Sequence, residues 1–379
     1  MKAVDLNDAE ALRAVDKHGM LSLYLSIADN VAKALRLARK LEFPEIVRLR
    51  TGEIRYSFPP DGLVVAGMGG SAIGGKLLRD LLRDSSKVFI TTCEDYHLPS
   101  HVGPRSLLVT ISYSGNTEET LSAFVKGLRR KCMTIGISSG GLLSWACRKL
   151  GLPFVKVPSG FPPRAALPFL FLPLLSVADR AGIADMPLLR QAEGLPRLLG
   201  DMARELCPEV PVEENKAKEL ARTVMGTIPV IYGFGPFCSV ALRLKTQFNE
   251  NSKILSFCNC LPGLDHDEIM GWEGELTDRF TVIFLRDRDE DRQMRLRIEA
   301  TKELIEEARP RVVELWARGS NRLEKMFSLI YLGDMASIYL ALARGIDPHE
   351  LRSIRAIKLK MARAGLLEKL KKEIYSLRP

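Results

Sequence analysis

The chain has 379 residues, 46% of them apolar and 27% charged, and its 55 Lys and Arg against 46 Asp and Glu give a formal charge of +9. That length exceeds one ordinary core and calls for two domains, while the composition excludes fibrous and disordered classes. A positive balance attracts small dianions as well as nucleic acid. Here the basic residues are spread along the chain without a nucleic-acid motif, so they read as a solvated face.

Residues 1–58 place Leu23, Ile27, Val31, Leu35, Ala38 and Leu41 at helical spacing, which predicts a helical lead-in ending near Phe58-Pro59-Pro60. The N-terminus MKAVDLNDAEALRAVDKHG has no apolar core of the signal-peptide kind, so a cytoplasmic protein is expected. A first α/β domain is expected over 59–178. Its opening strand, Gly62 to Ala66, runs into the glycine-rich turn Gly67 to Gly75, and a helix follows through Leu77, Leu78 and Leu81. Further strands are expected at Val88 to Thr92, Leu107 to Ile111 and Met133 to Ile137. The apolar stretch Ala165 to Ala178 is interrupted by Pro168 and Pro173 and is shorter than the roughly 20 residues a membrane span needs. It reads as a buried core helix, and no membrane association is expected.

Residues 179–214 form a helical connector in this reading. A second α/β domain over 215–345 repeats the pattern more faintly, with Ile228 to Tyr232 leading into Gly233-Phe-Gly235 and a later strand at Phe280 to Leu285. Residues 346–379, beginning at Asp347-Pro348, read as a closing helical segment. Seven scattered cysteines do not suggest a disulfide scaffold. Cys258, Cys260 and His266 match no zinc spacing, so no metal is expected.

Two segments carry chemistry. Gly67 to Gly75 can be read as a dinucleotide fingerprint, with Glu94 at the end of the next strand as the ribose-binding acid, although Ala72 stands where the third glycine belongs. It can equally be read as an anion turn, in which glycines such as Gly70 admit the ligand to the backbone and Ser71 supplies a hydroxyl. The second segment, Ser112-Tyr-Ser114-Gly-Asn-Thr117-Glu-Glu-Thr120, follows a strand and opens a helix. Hydroxyls are ordinary at helix starts, but this cluster lies at the carboxyl end of a strand, where open α/β sheets bind ligands. Ser112, Ser114 and Thr117 therefore point to a phosphate.

Together, GMGGSAIGG and SYSGNTEET resemble the sugar isomerase (SIS) domains. With Pro162-Pro-Arg164-Ala-Ala166, Phe248-Asn-Glu250-Asn-Ser-Lys253 and His266-Asp-Glu-Ile-Met-Gly-Trp272, the chain resembles the bifunctional phosphoglucose/phosphomannose isomerase family across roughly residues 60 to 360. The resemblance implies two doubly wound SIS-type domains with parallel sheets, a homodimer, a hexose phosphate substrate and no cofactor. It implies that Ser71, Ser112, Ser114 and Thr117 hold the phosphate and that Glu250 is the base. It places Arg164 beside the reacting carbons and has His266 open the sugar ring from across the subunit interface. Chemistry supports each role independently. One carboxylate can move the proton between C2 and C1, a guanidinium can stabilise the enediolate, and an imidazole titrates in the range needed to protonate a ring oxygen. The family's C-terminal lysine is best matched by Lys358, with Lys360 a close competitor. Asp267 stands where the family commonly has Asn, which leaves the His266 assignment standing; His349 stands where the family often has Thr, and that departure bears on the choice between the glucose and mannose sugars.

Overall fold

The computed structural model describes residues 4–377. Eleven strands are seen among them: β1 Ile46–Leu49, β2 Gly52–Arg55, β3 Gly62–Gly67, β4 Phe89–Cys93, β5 Ser106–Ile111, β6 Met133–Ser138, β7 Phe154–Lys156, β8 Ile228–Phe234, β9 Phe257–Leu261, β10 Phe280–Arg286 and β11 Arg311–Trp316. The chain divides into two compact units, each discontinuous in sequence. The first comprises Asp29–Glu193 and Leu351–Pro379; the second comprises Met1–Ala28 and Gly194–Glu350.

The first unit is built on a parallel sheet in the order β4-β3-β5-β6-β7. Its central strands β3, β5 and β6 are almost wholly buried, which is why they read as unbroken apolar runs. On one face the helix Ile73–Leu81 packs against the helix Leu167–Arg180, whose Phe169 to Ala178 are all buried. On the other face Leu121, Phe124 and Leu128 join Leu143, Cys147, Leu370 and Ile374 in one apolar cluster. The C-terminal helix Leu366–Ser376 belongs to this unit because it closes that cluster. Trp145 and Tyr375 pack at 4.7 Å, and Leu377 O accepts from Arg50 N at 3.1 Å.

One expectation is corrected here. The lead-in over 1–58 is helical only as far as Ala38, and β1 and β2 form an antiparallel hairpin within it. Ile46 to Arg55 alternates apolar and charged residues about Thr51-Gly52, and period-two alternation favours a half-buried hairpin over a helix.

The second unit has a four-stranded parallel sheet, β11-β10-β8-β9. Matching β8 to β3, β9 to β4, β10 to β5 and β11 to β6 reproduces the first unit's pairing, so the faint sequence repeat is a repeat of topology. The helix Arg322–Ala343 is long and apolar enough to cross a membrane, but 94% of its apolar window is buried as this unit's core helix. Val4 N donates to Ala343 O at 2.8 Å, and Tyr24 OH reaches Gln247 at 3.4 Å, which fastens the N-terminal residues here.

The fully buried Ile374 supplies a stability test. Ile374→Ala is expected to cost about 2–5 kcal/mol, the usual range for an aliphatic truncation that leaves a cavity. Phe89→Ala, at a side chain 89% exposed, should stay within about 0.5 kcal/mol. Denaturant unfolding followed by circular dichroism checks both, and equal midpoints for the two variants would show that the C-terminal helix is not part of the first unit's core.

Candidate functional site

In the first unit the chain leaves β3 to one side for β4 and to the other for β5, so the carboxyl ends of β3 and β5 flank the point where the strand order reverses. Both expected anion turns sit there. After β5, Ser112 is fully buried and its Oγ lies 2.8 Å from Thr117 Oγ1. Gly115 N donates to Ser112 Oγ at 3.1 Å, and Asn116 N donates to Ser114 Oγ at 3.3 Å. Gly115 has φ +71°, and a Cβ there would overlap Gly140 O, so only glycine lets the turn close against the loop after β6. Thr117 occupies the N-cap of the helix Glu118–Arg129 in extended conformation, but its side chain makes no capping hydrogen bond. The hydroxyl is turned to Ser112 instead. A twelve-residue helix thus starts without a side-chain cap among the described residues, beneath an exposed Ser114.

The turn after β3 joins this cluster. Ser71, 5% exposed, accepts from Tyr113 N at 3.3 Å. Tyr113 is itself clamped, since its phenol donates to Pro158 O at 3.0 Å and accepts from Phe161 N at 2.8 Å. Gly70 lies against the short turn Pro163–Ala166, where a Cβ would come 3.3 Å from Arg164 N. A side chain there would press on that backbone. Arg164, 1% exposed, sits on that turn, so the Gly70–Ser71 turn is flanked by the Arg164 turn on one side and by the Ser112 to Thr117 turn on the other. Glu94, the acid that a dinucleotide reading needs for ribose, is engaged by Lys76 Nζ at 2.5 Å.

The corresponding turn of the second unit, after β10, is filled by the protein's own charges. Glu290 accepts from Arg286 at 2.5 Å and 3.2 Å. The N-cap Asp291 of the helix Arg292–Glu307 accepts from Met294 N at 2.8 Å. Carboxylates of the protein itself therefore occupy this turn.

Glu250 and His266 both belong to the second unit. Glu250 is the last residue of the helix Cys238–Glu250, and its carbonyl accepts from Lys253 Nζ at 2.6 Å; the same ammonium reaches Pro348 O at 3.0 Å. One turn and two turns back on that helix lie Gln247 and the buried Arg243, and Arg243 Nη2 pairs with Asp334 at 2.7 Å. Burial opposes the Arg243 charge, but Asp334 above all, with Tyr24 and Glu250, outweighs it and holds the guanidinium above its usual range. His266 is exposed, at the end of the short turn Gly263–His266 that follows β9. Cys260 meets Cys238 sulfur to sulfur and ties β9 to the start of the Glu250 helix.

Residues 213–361 match the family described as the bacterial phospho-glucose isomerase C-terminal SIS domain. The chain is 39% identical over 305 residues, 80% of its length and 90% of the relative's, to a bifunctional phosphoglucose/phosphomannose isomerase of Caldicellulosiruptor bescii. A protein of the same name from Thermoplasma acidophilum is 34% identical over 85% of this chain and 98% of its own. The chain belongs to the bifunctional phosphoglucose/phosphomannose isomerase family. In fold it is similar to the crystal structure of a hypothetical protein, TT0462, from Thermus thermophilus, with a TM-score of 0.68 at 15% identity over 94% of both chains.

Against that family pattern, the C-terminal residues divide. Lys358 and Lys360 lie on the helix Arg352–Ala362 of the first unit, which has no buried residue; burial does not choose between them. His349, in the second unit, stacks on His18 with ring centroids 4.3 Å apart, and its backbone N–H donates to Asp347 at 2.9 Å. His18 in turn bonds Asp347 at 2.6 Å, which raises its pKa. Neither His18 nor Asp347 was recognised from sequence, because 329 residues separate them. Thr120, inside the quoted motif, was also passed over. It is 1% exposed, and its hydroxyl has no hydrogen-bond partner among the described residues. A cavity of about 330 Å³ in the second unit, lined by residues such as Met202, Leu220 and Trp316, contains none of the expected site residues.

The uncapped helix start yields a two-sided test. Thr117→Asp should raise helix stability by up to about 1 kcal/mol, because Asp is the better N-cap, and should weaken inorganic phosphate binding at least tenfold by placing a carboxylate in the cradle. Ser114→Ala/Thr117→Ala should weaken phosphate without that stabilisation. Thermal melts and calorimetric titration measure the pair; unchanged phosphate affinity in both would move the anion to the Ser71 turn.

Proposed function

We propose that this chain is a cytoplasmic, homodimeric aldose-ketose isomerase that interconverts glucose 6-phosphate and mannose 6-phosphate with fructose 6-phosphate, using neither cofactor nor metal. The observation that carries the reading is the hydroxyl-lined, uncapped start of the helix Glu118–Arg129 at the sheet's switch point. The names of the relatives agree with a phosphorylated hexose there.

Ser71, Ser112, Ser114 and Thr117, with the backbone at Gly70, hold the phosphate. Glu250 takes the C2 proton of the open-chain aldose as the C1 carbonyl oxygen gains charge, and Arg164 stabilises the resulting enediolate. The proton on O2 passes to O1, and Glu250 returns its own proton to C1, giving the ketose. His266 protonates the ring oxygen during opening, and Lys358 adds a cation from the C-terminal helix. Glucose and mannose 6-phosphates differ only at C2, and that difference vanishes in the planar enediolate. One carboxylate therefore serves both if the C1–C2 end can turn, and His349 is the residue expected to govern that turn.

A second copy of the chain is the partner that the exposed apolar residues suit. In the second unit Leu255, Phe257 and Met270 are 71%, 51% and 61% exposed, just before β9, on β9 and on the turn after His266. In the first unit Ile357 and Leu359 stand out from the Lys358 helix. Clustered exposed apolar residues mark association surfaces.

A coupled assay of metal-free protein with both hexose 6-phosphates should detect fructose 6-phosphate from each. Glu250→Gln should lower kcat by roughly 10² to 10⁴ while phosphate still binds; retention of more than about a tenth of kcat would remove Glu250 from the base role. His349→Thr should change the ratio of mannose to glucose activity, and an unchanged ratio would free His349 of any part in epimer choice.

A further inference from the structure

The loop that carries His266 is held by a hydrogen-bond network to which the reading above gives no role. Glu268 stands two residues beyond His266, on the turn Glu268–Glu273. Its Oε1 accepts from the Tyr232 hydroxyl at 2.6 Å and its Oε2 from Asn259 Nδ2 at 2.7 Å, so each carboxylate oxygen is fixed by a different strand of the sheet. Trp272 Nε1 closes the network by donating to the Tyr232 oxygen at 2.9 Å. On the other side of His266, Asp265 accepts from Arg297 at 2.9 Å and Thr301 at 2.8 Å, both on the helix Arg292–Glu307.

We propose that Glu268 is a positioning residue for His266, anchoring the turn to β8 and β9 so that an exposed imidazole is presented in one fixed place. The inference rests on the reading that His266 opens the sugar ring. In that step O5 takes the imidazolium proton as the C1–O5 bond breaks, and the C1 hydroxyl gives its proton to water. An exposed imidazole on an untethered loop would sample many positions, and displacement by about 1 Å can cost up to a hundredfold in rate. Tyr232 makes the anchor firm. Its phenol is buried, and burial together with the Glu268 carboxylate pushes its pKa up, so it remains a donor across the physiological range.

Ring opening can be isolated from isomerisation in the Glu250→Gln protein, where glucose 6-phosphate still opens and closes but goes no further. The measurement is the rate of α to β anomer exchange of glucose 6-phosphate by NMR exchange spectroscopy, together with the dissociation constant of glucose 6-phosphate. In this background exchange should be catalysed, and His266→Asn should abolish the catalysis. Adding Glu268→Gln, or separately Tyr232→Phe, should slow exchange at least tenfold while the dissociation constant stays within about twofold, since displacement of the acid costs rate rather than phosphate affinity. If His266→Asn leaves exchange unchanged, the ring-opening reading of His266 falls and this inference with it. If His266→Asn stops exchange but Glu268→Gln and Tyr232→Phe do not slow it, the positioning role alone is overturned. An equal loss of binding and exchange in both anchor variants also overturns it, because that is what a purely structural network would give. Should Glu268→Gln fail to fold, Tyr232→Phe, which removes one hydroxyl, decides the matter.

Discussion

The first backbone N–H groups of any α-helix have no partner within the helix, and a buried or ligand-facing start must have them satisfied by a cap, by water or by an anion. At the helix Glu118–Arg129 the side chain in the capping place spends its hydroxyl on Ser112, 2.8 Å away. No side chain among the described residues caps those N–H groups, and Ser71 is linked to the same turn through Tyr113 N. Much of the first unit serves this arrangement. The buried sheet fixes where β3 and β5 end, the Tyr113 phenol pins the turn to Pro158 and Phe161, and Gly115 lets the loop after β6 close behind it.

The second unit shows the same architecture with the opposite local choice. Its turn after β10 places Glu290 on the buried Arg286 and uses Asp291 as an ordinary cap. Two carboxylates there make anion binding unfavourable by like-charge repulsion and by removing the free donors. One repeated topology thus carries two different turns: an uncapped, hydroxyl-lined one in the first unit and one occupied by the protein's own carboxylates in the second. In the second unit the candidate chemistry lies elsewhere, on the helix after β8, which ends at Glu250, and on the loop after β9, which carries His266.

Legibility in the sequence follows burial. Strands β3, β5, β6, β8 and β10 are covered on both faces, and each announced itself as an apolar run within a residue or two of its observed limits. The edge strands β9 and β11 are mostly only partly buried, as in Phe257-Cys-Asn-Cys-Leu261. They give neither a continuous run nor a clean period of two, and were not foreseen. The hairpin β1 and β2 was hidden by the strong helical pattern preceding it. At the candidate site, the Ser112 to Thr117 turn was readable because all its parts lie within six residues. The Tyr232–Glu268–Asn259–Trp272 network was not, because its members come from β8, β9 and a loop, and nothing in their separate contexts marks them as partners.

Glu250 stands at a place where secondary structure alone would not put an acid. The C-terminal end of a helix carries the negative pole of the dipole, and a carboxylate there loses a few tenths to about 1 kcal/mol relative to a neutral residue. No basic residue occupies the last turn of this helix. The compensation comes from outside it: Lys253, held at φ +55°, donates to the carbonyls of Glu250 and Asn251, and Arg344 donates to that of Ser252. These cations bind backbone carbonyls and so offset the negative pole of the helix. Local rules broken at one residue and repaired by its neighbours are the pattern expected where a side chain is kept for chemistry rather than for stability.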